Sequence, residues 1–178
     1  MFTQYAPEIL QRARAIRLAV FDVDGVLTDG RLWFTPQGDE LKAFHARDGH
    51  GIKLIQRAGI ETAVISGRRS PAVALRLESL GIRHVYQGCE QKREVFEDLL
   101  RQLNLTTNQA CFIGDDVLDL PILRRAGLSV AVADAHFAIL PMTHLVTRQK
   151  GGTGAVREIC DLLLYAQDQL EKVLQSDD

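Results

Sequence analysis

Arg17-Leu18-Ala19-Val20-Phe21-Asp22-Val23-Asp24-Gly25 is a strand-length apolar run that stops on two acids and a glycine. Its apolar part shows no strict alternation with polar residues, so the strand it predicts is buried on both faces, as in a parallel sheet. Similar runs follow at Glu61-Thr62-Ala63-Val64-Ile65-Ser66, Gln109-Ala110-Cys111-Phe112-Ile113-Gly114 and Leu128-Ser129-Val130-Ala131-Val132, with two weaker ones at 84–86 and 144–146. Between them, apolar residues recur at helical spacing over 51–58, 71–80 (stopped by Gly81), 92–103, 116–125 and about 154–174. Strands alternating with helices through short links predict an α/β doubly wound, mostly parallel sheet.

The rest of the chain fits one domain over 1–178. Its 178 residues, 46% hydrophobic and 25% charged, are ordinary globular composition. The net charge of −2 argues against nucleic acid and anionic membrane as partners. No apolar run approaches the roughly 20 residues of a membrane span. The first residues carry no basic region followed by an apolar one, so a cytoplasmic location is expected. Cys89, Cys111 and Cys160 fit no zinc or redox spacing and read as small core residues. One segment breaks the alternation. Leu32-Trp33-Phe34, a Thr35-Pro36-Gln37-Gly38 turn and the residues from Glu40 predict a β-hairpin over about 31–46. Trp33 and Phe34 either fold down on the domain or meet another subunit.

In a doubly wound sheet, ligands bind beyond the carboxyl ends of the strands. There the strands place Asp22 and Asp24, then Ser66-Gly67-Arg68, then Gly114-Asp115-Asp116 with Asp119 one turn on. Lys92 opens a helix nearby. Carboxylates crowded into one cleft call for a hard cation with oxygen ligands, and magnesium pairs carboxylates with phosphate oxygens. One carboxylate is then a candidate nucleophile at phosphorus, and a second, two residues on, a candidate proton donor and acceptor. Lys92, the Ser66 hydroxyl and amides near Gly25 and Gly67 are candidates for the phosphoryl oxygens. Asp-x-Asp, Gly-Asp-Asp and Ser-Gly-Arg are each weak signals. Their order, each at a strand end or helix start, is the strong one.

That order resembles the haloacid dehalogenase superfamily of phosphotransferases. The resemblance implies Asp22 as nucleophile, Asp24 as general acid/base, and Ser66 and Lys92 as phosphate-binding catalytic residues. It implies a metal held by Asp22, the Asp24 backbone carbonyl and Asp115, with Asp116 and Asp119 behind them. Within the superfamily, residues 44–51, 65–68, 85–88, 128–136 and 151–161 resemble the cap-less phosphatases of 3-deoxy-D-manno-octulosonate 8-phosphate. No insertion between the motifs is long enough for a cap domain. The resemblance implies a magnesium-dependent phosphomonoester hydrolase that releases Kdo during lipopolysaccharide precursor synthesis. It also implies a homotetramer with the hairpin at subunit contacts and a tail that can reach a neighbour's site.

The remaining candidates concern the sugar acid. Arg68 and Arg76 suit a planar carboxylate, and Arg47, Asp48 and Gly49 lie between hairpin and helix. Asp48 reads equally as a helix cap. Residues 150–154 either offer amides to an anion or simply begin the last helix. His45, His50 and His136 are not expected to bind a hard-oxygen metal. Rival readings are a phosphatase of another sugar acid, such as a nonulosonate 9-phosphate, and a non-catalytic receiver or scaffold domain. Asp24 argues against the receiver, which needs no acid at that position.

Overall fold

The computed structural model describes residues 5–175. The opening run forms β1 (Leu18–Phe21), fully buried. The chain then makes β2 (Trp33–Phe34) and β3 (Glu40–Leu41), followed by α2 (Ala46–Arg57), α1 (Pro7–Ala15) having preceded β1. Next come β4 (Glu61–Ser66), α3 (Pro71–Ser79), β5 (His84–Gln87), α4 (Lys92–Gln102) and β6 (Ala110–Gly114). The last part holds α5 (Leu120–Leu123), β7 (Leu128–Ala131), β8 (Leu145–Val146), α6 (Ala155–Ala166) and α7 (Leu170–Gln175).

Six strands form one sheet in the order β5-β4-β1-β6-β7-β8, and every pairing in it is parallel. β1 lies between β4 and β6, with Leu18 opposite Glu61 on one side and Ala110 on the other. The chain leaves β1 towards β4 and β5, then returns to β6 on the far side. The connections therefore part at the carboxyl end of β1, where a crevice forms. Side chains alternate between the faces. Ala19, Phe21, Val64, Cys111 and Ile113 pack with α1, α2, α3 and α6. Leu18, Val20, Ala63, Ile65 and Phe112 pack with α4 and α5.

Several boundaries differ from the sequence expectation. α1 was not anticipated. α2 starts at Ala46, so Arg47, Asp48 and Gly49 lie in its first turn. The expected helix over 116–125 is a 3-10 turn (Val117–Asp119) running into the four-residue α5. Pro121 in its first turn fits there because that amide has no helical partner to lose. The last helix breaks after α6, where Asp168 adopts φ 57°. The hairpin is very short, and Trp33 and Phe34 are 57% and 59% exposed. They do not fold down on the domain. No described helix is long and apolar enough to cross a membrane.

Candidate active site

The carboxyl ends of β1, β4 and β6 open into a cavity of about 240 Å³ lined by Asp22, Asp24, Ser66, Gly67, Arg68, Lys92, Asp115, Asp116 and Asp119. Nine of the residues named from sequence thus meet in one cleft. Asp22 follows β1 directly and is 6% exposed, Ser66 ends β4 and is 3% exposed, and Lys92 begins α4 and is 7% exposed.

Lys92 is the hub. Its Nζ donates to Asp22 Oδ1 and to Asp119 Oδ1, both at 2.8 Å. Burial works against its positive charge, but the two carboxylates outweigh burial and hold its pKa above the usual lysine value. Asp119 Oδ2 accepts the amides of Asp115 at 3.0 Å and Asp116 at 3.4 Å. The Asp116 carboxylate accepts the Val117 amide at 2.7 Å and so caps the 3-10 turn that carries Asp119. A Cβ on Gly114 would lie 2.5 Å from Asp119 Oδ2, so the bare backbone there lets the carboxylate close on its amide donors.

One oxygen each of Asp22, Asp115 and Asp119 lies within 4.8 Å of the others. Burial and then the charge of Asp119 push Asp22 up to about 6, against the pull of Lys92. Burial and the charges of Asp22, Asp119 and Asp116 push Asp115 up to about 8. Both shifts come from burial first and from the neighbouring carboxylates second. Three carboxylates against one ammonium leave a formal charge of −2. That residue of charge, and oxygen-only donors, fit a magnesium ion. Among the described residues no hydrogen bond reaches the Asp115 carboxylate, whereas both Asp119 oxygens are taken. Asp115 is therefore the carboxylate without a protein donor among the described residues, Asp22 shares one oxygen with Lys92, and Asp119 has both oxygens on protein donors. Gly25 makes room for this: its φ is 90°, and a Cβ there would meet Asp115 Oδ2 at 2.1 Å.

Asp24 faces other partners. Its Oδ1 accepts from Lys42 Nζ, and its Oδ2 lies 3.5 Å from Arg68 Nε. Glu40 accepts from Arg68 Nη2 at 2.9 Å and lies 3.3 Å from Lys42 Nζ. Glu40 and Lys42 were not picked out from sequence. Their only signal was a charged pair two residues apart, on one face of an expected strand.

The other candidates lie outside this cleft within the chain. Asp48 is 1% exposed, and its carboxylate accepts the amides of Gly154 at 3.3 Å and Arg157 at 2.8 Å. It caps α6, not its own helix. Burial raises its pKa, partly offset by those donors. Gly49 is buried against Arg76, since a Cβ there would lie 2.3 Å from Arg76 Nη2. The Arg76 guanidinium sits 5.9 Å from the centre of the Phe44 ring. Arg76 is thus packed between Phe44 and Gly49, with its Nε buried without a hydrogen-bond partner among the described residues. Arg47 lines a different cavity, of about 360 Å³, with Arg148 and Arg157. The amides of the 150–154 turn are also spoken for. Gly151 N donates to Asp134 at 3.0 Å, Gly152 N to the Val26 carbonyl at 2.9 Å and Gly154 N to Asp48. This turn buttresses the loop after Asp24.

Known proteins resemble this chain along nearly its whole length. The family model for a haloacid dehalogenase-like hydrolase matches residues 50–127, a span that holds Ser66, Lys92 and Asp115. The 3-deoxy-D-manno-octulosonate 8-phosphate phosphatase KdsC of Yersinia pestis is 51% identical over 93% of this chain and 89% of its own length. The KdsC of Escherichia coli K12 is 47% identical over 96% of this chain and 92% of its own. The same phosphatase from Moraxella catarrhalis, solved in complex with a magnesium ion, a phosphate ion and a KDO molecule, superposes with a TM-score of 0.95. It is 36% identical and covers 98% of this chain and 100% of its own. With such identity along nearly its whole length, the chain belongs to the haloacid dehalogenase-like hydrolases, in the family of the 3-deoxy-D-manno-octulosonate 8-phosphate phosphatases.

Proposed function

We propose that the protein hydrolyses 3-deoxy-D-manno-octulosonate 8-phosphate to Kdo and phosphate, a step in lipopolysaccharide precursor synthesis. The observation that carries the reading is the buried Asp22 carboxylate, held by Lys92 at 2.8 Å at the mouth of β1 beside Asp115. Magnesium, held by Asp22, Asp115 and the Asp24 backbone carbonyl, supplies charge neutralisation for the phosphate oxygens when bound.

The chain's own residues do the rest. An Asp22 carboxylate oxygen attacks phosphorus and the bond to the sugar oxygen breaks. Asp24 gives that oxygen its proton, so the sugar leaves as an alcohol and Asp22 carries an acyl phosphate. A water molecule then attacks phosphorus, Asp24 takes back its proton, and phosphate leaves with Asp22 restored. Lys92 fixes Asp22 and bears on the transferring phosphoryl group, helped by the Ser66 hydroxyl and the Gly67 amide. Asp116 and Asp119 keep Asp115 in place. Arg68 stands over Asp24 at the open side of the cleft, where it suits the carboxylate of the sugar acid. The whole chain works as one catalytic unit without a cap domain.

A homotetramer is part of the proposal, with Leu32, Trp33, Phe34 and Leu41 of the hairpin as an exposed apolar contact surface. In that assembly, Arg47, exposed in the first turn of α2, is the residue of this group placed to reach a neighbouring subunit's substrate, whereas Asp48 and Gly49 are buried in packing within their own chain. Light scattering of the intact protein and of a Trp33→Asp variant tests the contact. A cytoplasmic location is proposed as well, in keeping with three unpaired cysteines, and cell fractionation tests it.

The deciding experiment is phosphate release from a panel of sugar phosphates, with magnesium and with chelator. Preference for Kdo 8-phosphate is expected. Preference for a nonulosonate 9-phosphate would move the assignment to that substrate. Asp22→Asn should fold and release no phosphate, and turnover in that variant would sink its role as nucleophile.

A further inference from the structure

Lys42 lies just after β3, and its side chain is only 1% exposed. A lysine this buried is rare without ion partners. Lys42 has two, Asp24 Oδ1 and Glu40 Oε1. Arg68 closes the ring from the β4 side, with its Nη2 on the same Glu40 oxygen and its Nε beside Asp24 Oδ2. Each Asp24 oxygen therefore faces a different cation. Turning the carboxylate away would break both contacts at once. Once Asp24 has given up its proton, the four formal charges cancel, without the charge imbalance found around Asp22 and Asp115.

We propose that Lys42 is a positioning residue for the phosphatase reaction. Acting through Asp24, it fixes the direction from which the leaving sugar oxygen receives its proton. Glu40 sets the spacing between Lys42 and Arg68 and so steadies both cations. The hairpin thus contributes to the chemistry of its own chain, whatever its exposed aromatic residues meet. This inference rests on the reading of Asp24 as general acid/base.

The esters tell positioning from mere structure. Protonation matters for a sugar or glycerol oxygen, a poor leaving group. It matters little for p-nitrophenolate, which leaves as the anion. The full chain with magnesium is assayed on Kdo 8-phosphate, glycerol 3-phosphate and p-nitrophenyl phosphate, reading kcat/KM, which covers the steps through phosphoryl transfer to Asp22. Lys42→Met should lose about 10-fold or more on the alkyl esters while p-nitrophenyl phosphate changes less than about 3-fold, and Lys42→Arg should recover most of the loss. Equal losses on all three esters, or none, overturn the proposal. If Lys42→Met does not fold, Glu40→Gln keeps the lysine and loosens its spacing from Arg68 by weakening the hold on both cations. A smaller loss of the same selectivity is then expected, and an unchanged ester ratio overturns the idea. Wild-type enzyme that turns over the two simple esters but ignores Kdo 8-phosphate refutes the substrate alone, and the ester ratio still judges Lys42. Wild-type enzyme inert to all three refutes the phosphatase reading and Lys42 with it.

Discussion

Replacing Lys92 by methionine keeps the length of the side chain and removes one charge. Two charge-assisted hydrogen bonds vanish, to Asp22 Oδ1 and Asp119 Oδ1. Each is worth about 1.5–3 kcal/mol. Breaking a buried ion pair from one side costs about 3–5 kcal/mol when the orphaned charge persists. Here it need not persist in full, because Asp22 and Asp115 already titrate high and can take up protons. A loss of stability of about 3 kcal/mol without metal is therefore expected, read from urea unfolding near neutral pH. Turnover should fall more sharply. Loss of one preorganised group facing developing charge lowers kcat by about 100- to 1,000-fold, and Asp22 loses its orientation as well. Magnesium binding should go the other way. Without the lysine, and once the ion has displaced those protons, the three carboxylates carry a formal −3 in place of −2, so affinity for the ion is held or increased. Calorimetric titration with magnesium, beside a phosphate-release assay at saturating metal, checks both halves. A variant with kcat within about 3-fold of wild type, or one that is slow merely because it no longer binds magnesium, would refute the placement of Lys92 on the phosphoryl path.

Gly25→Ala forces a Cβ to within 2.1 Å of Asp115 Oδ2 on a backbone at φ 90°, so magnesium affinity should drop about 10-fold or more in the same titration. Asp48→Ala removes the acceptor for the amides of Gly154 and Arg157 and should lower stability by about 2–3 kcal/mol, read by urea unfolding. Its effect on magnesium affinity should be small, because it stands outside the acid cluster. The metal-free protein should lose stability as pH rises from about 4 to about 8. Asp22 and Asp115 hold protons up to about 6 and about 8 in the folded chain, so over that window the folded state binds more protons than the unfolded one. Saturating magnesium should flatten that slope, and thermal melts across pH with and without chelator measure it.

The strands at the centre of the sheet were legible because burial on both faces leaves an uninterrupted apolar run, as in β1, β4, β6 and β7. The nine cleft residues followed, since a parallel sheet brings its carboxyl ends together whatever the intervening helices do. α1 escaped notice because only Ile9 and Ala13 on it are buried, a stripe too thin to stand out among Glu8, Gln11, Arg12 and Arg14. The start of α2 was hidden for another reason. Arg47, Asp48 and two glycines look like a loop in sequence, yet a Cβ on Gly51 would meet Arg157 and Cys160 within 3.1 Å, so Gly51 lets α2 and α6 approach, while Gly49 makes room for Arg76. Asp48 looked like the cap of the helix it sits in, because its true partners lie more than a hundred residues away. Contacts that span such distances leave no periodicity in the chain.

Asp22 and Asp24 show why spacing alone could name two roles but could not explain them. They are two residues apart, carry the same carboxyl group and line the same cleft. The fold gives them different company. Asp22 is buried with Lys92 and two further acids, so it is left with surplus negative charge that a divalent cation relieves. In the proposed reaction that keeps its carboxylate in place for attack. Asp24 is 21% exposed and contacts two cations, one from each side of the cleft. It sits where solvent and a departing alcohol can reach it. Environments that differ this much are how one enzyme assigns separate tasks to chemically identical groups. The difference comes from Lys92 on α4, Lys42 after β3 and Arg68 after β4, elements that converge only when the sheet is assembled. A substitution that exchanged the two environments should therefore cost more activity than one that moved either aspartate by a fraction of an ångström, since it would misassign the roles and not merely loosen them.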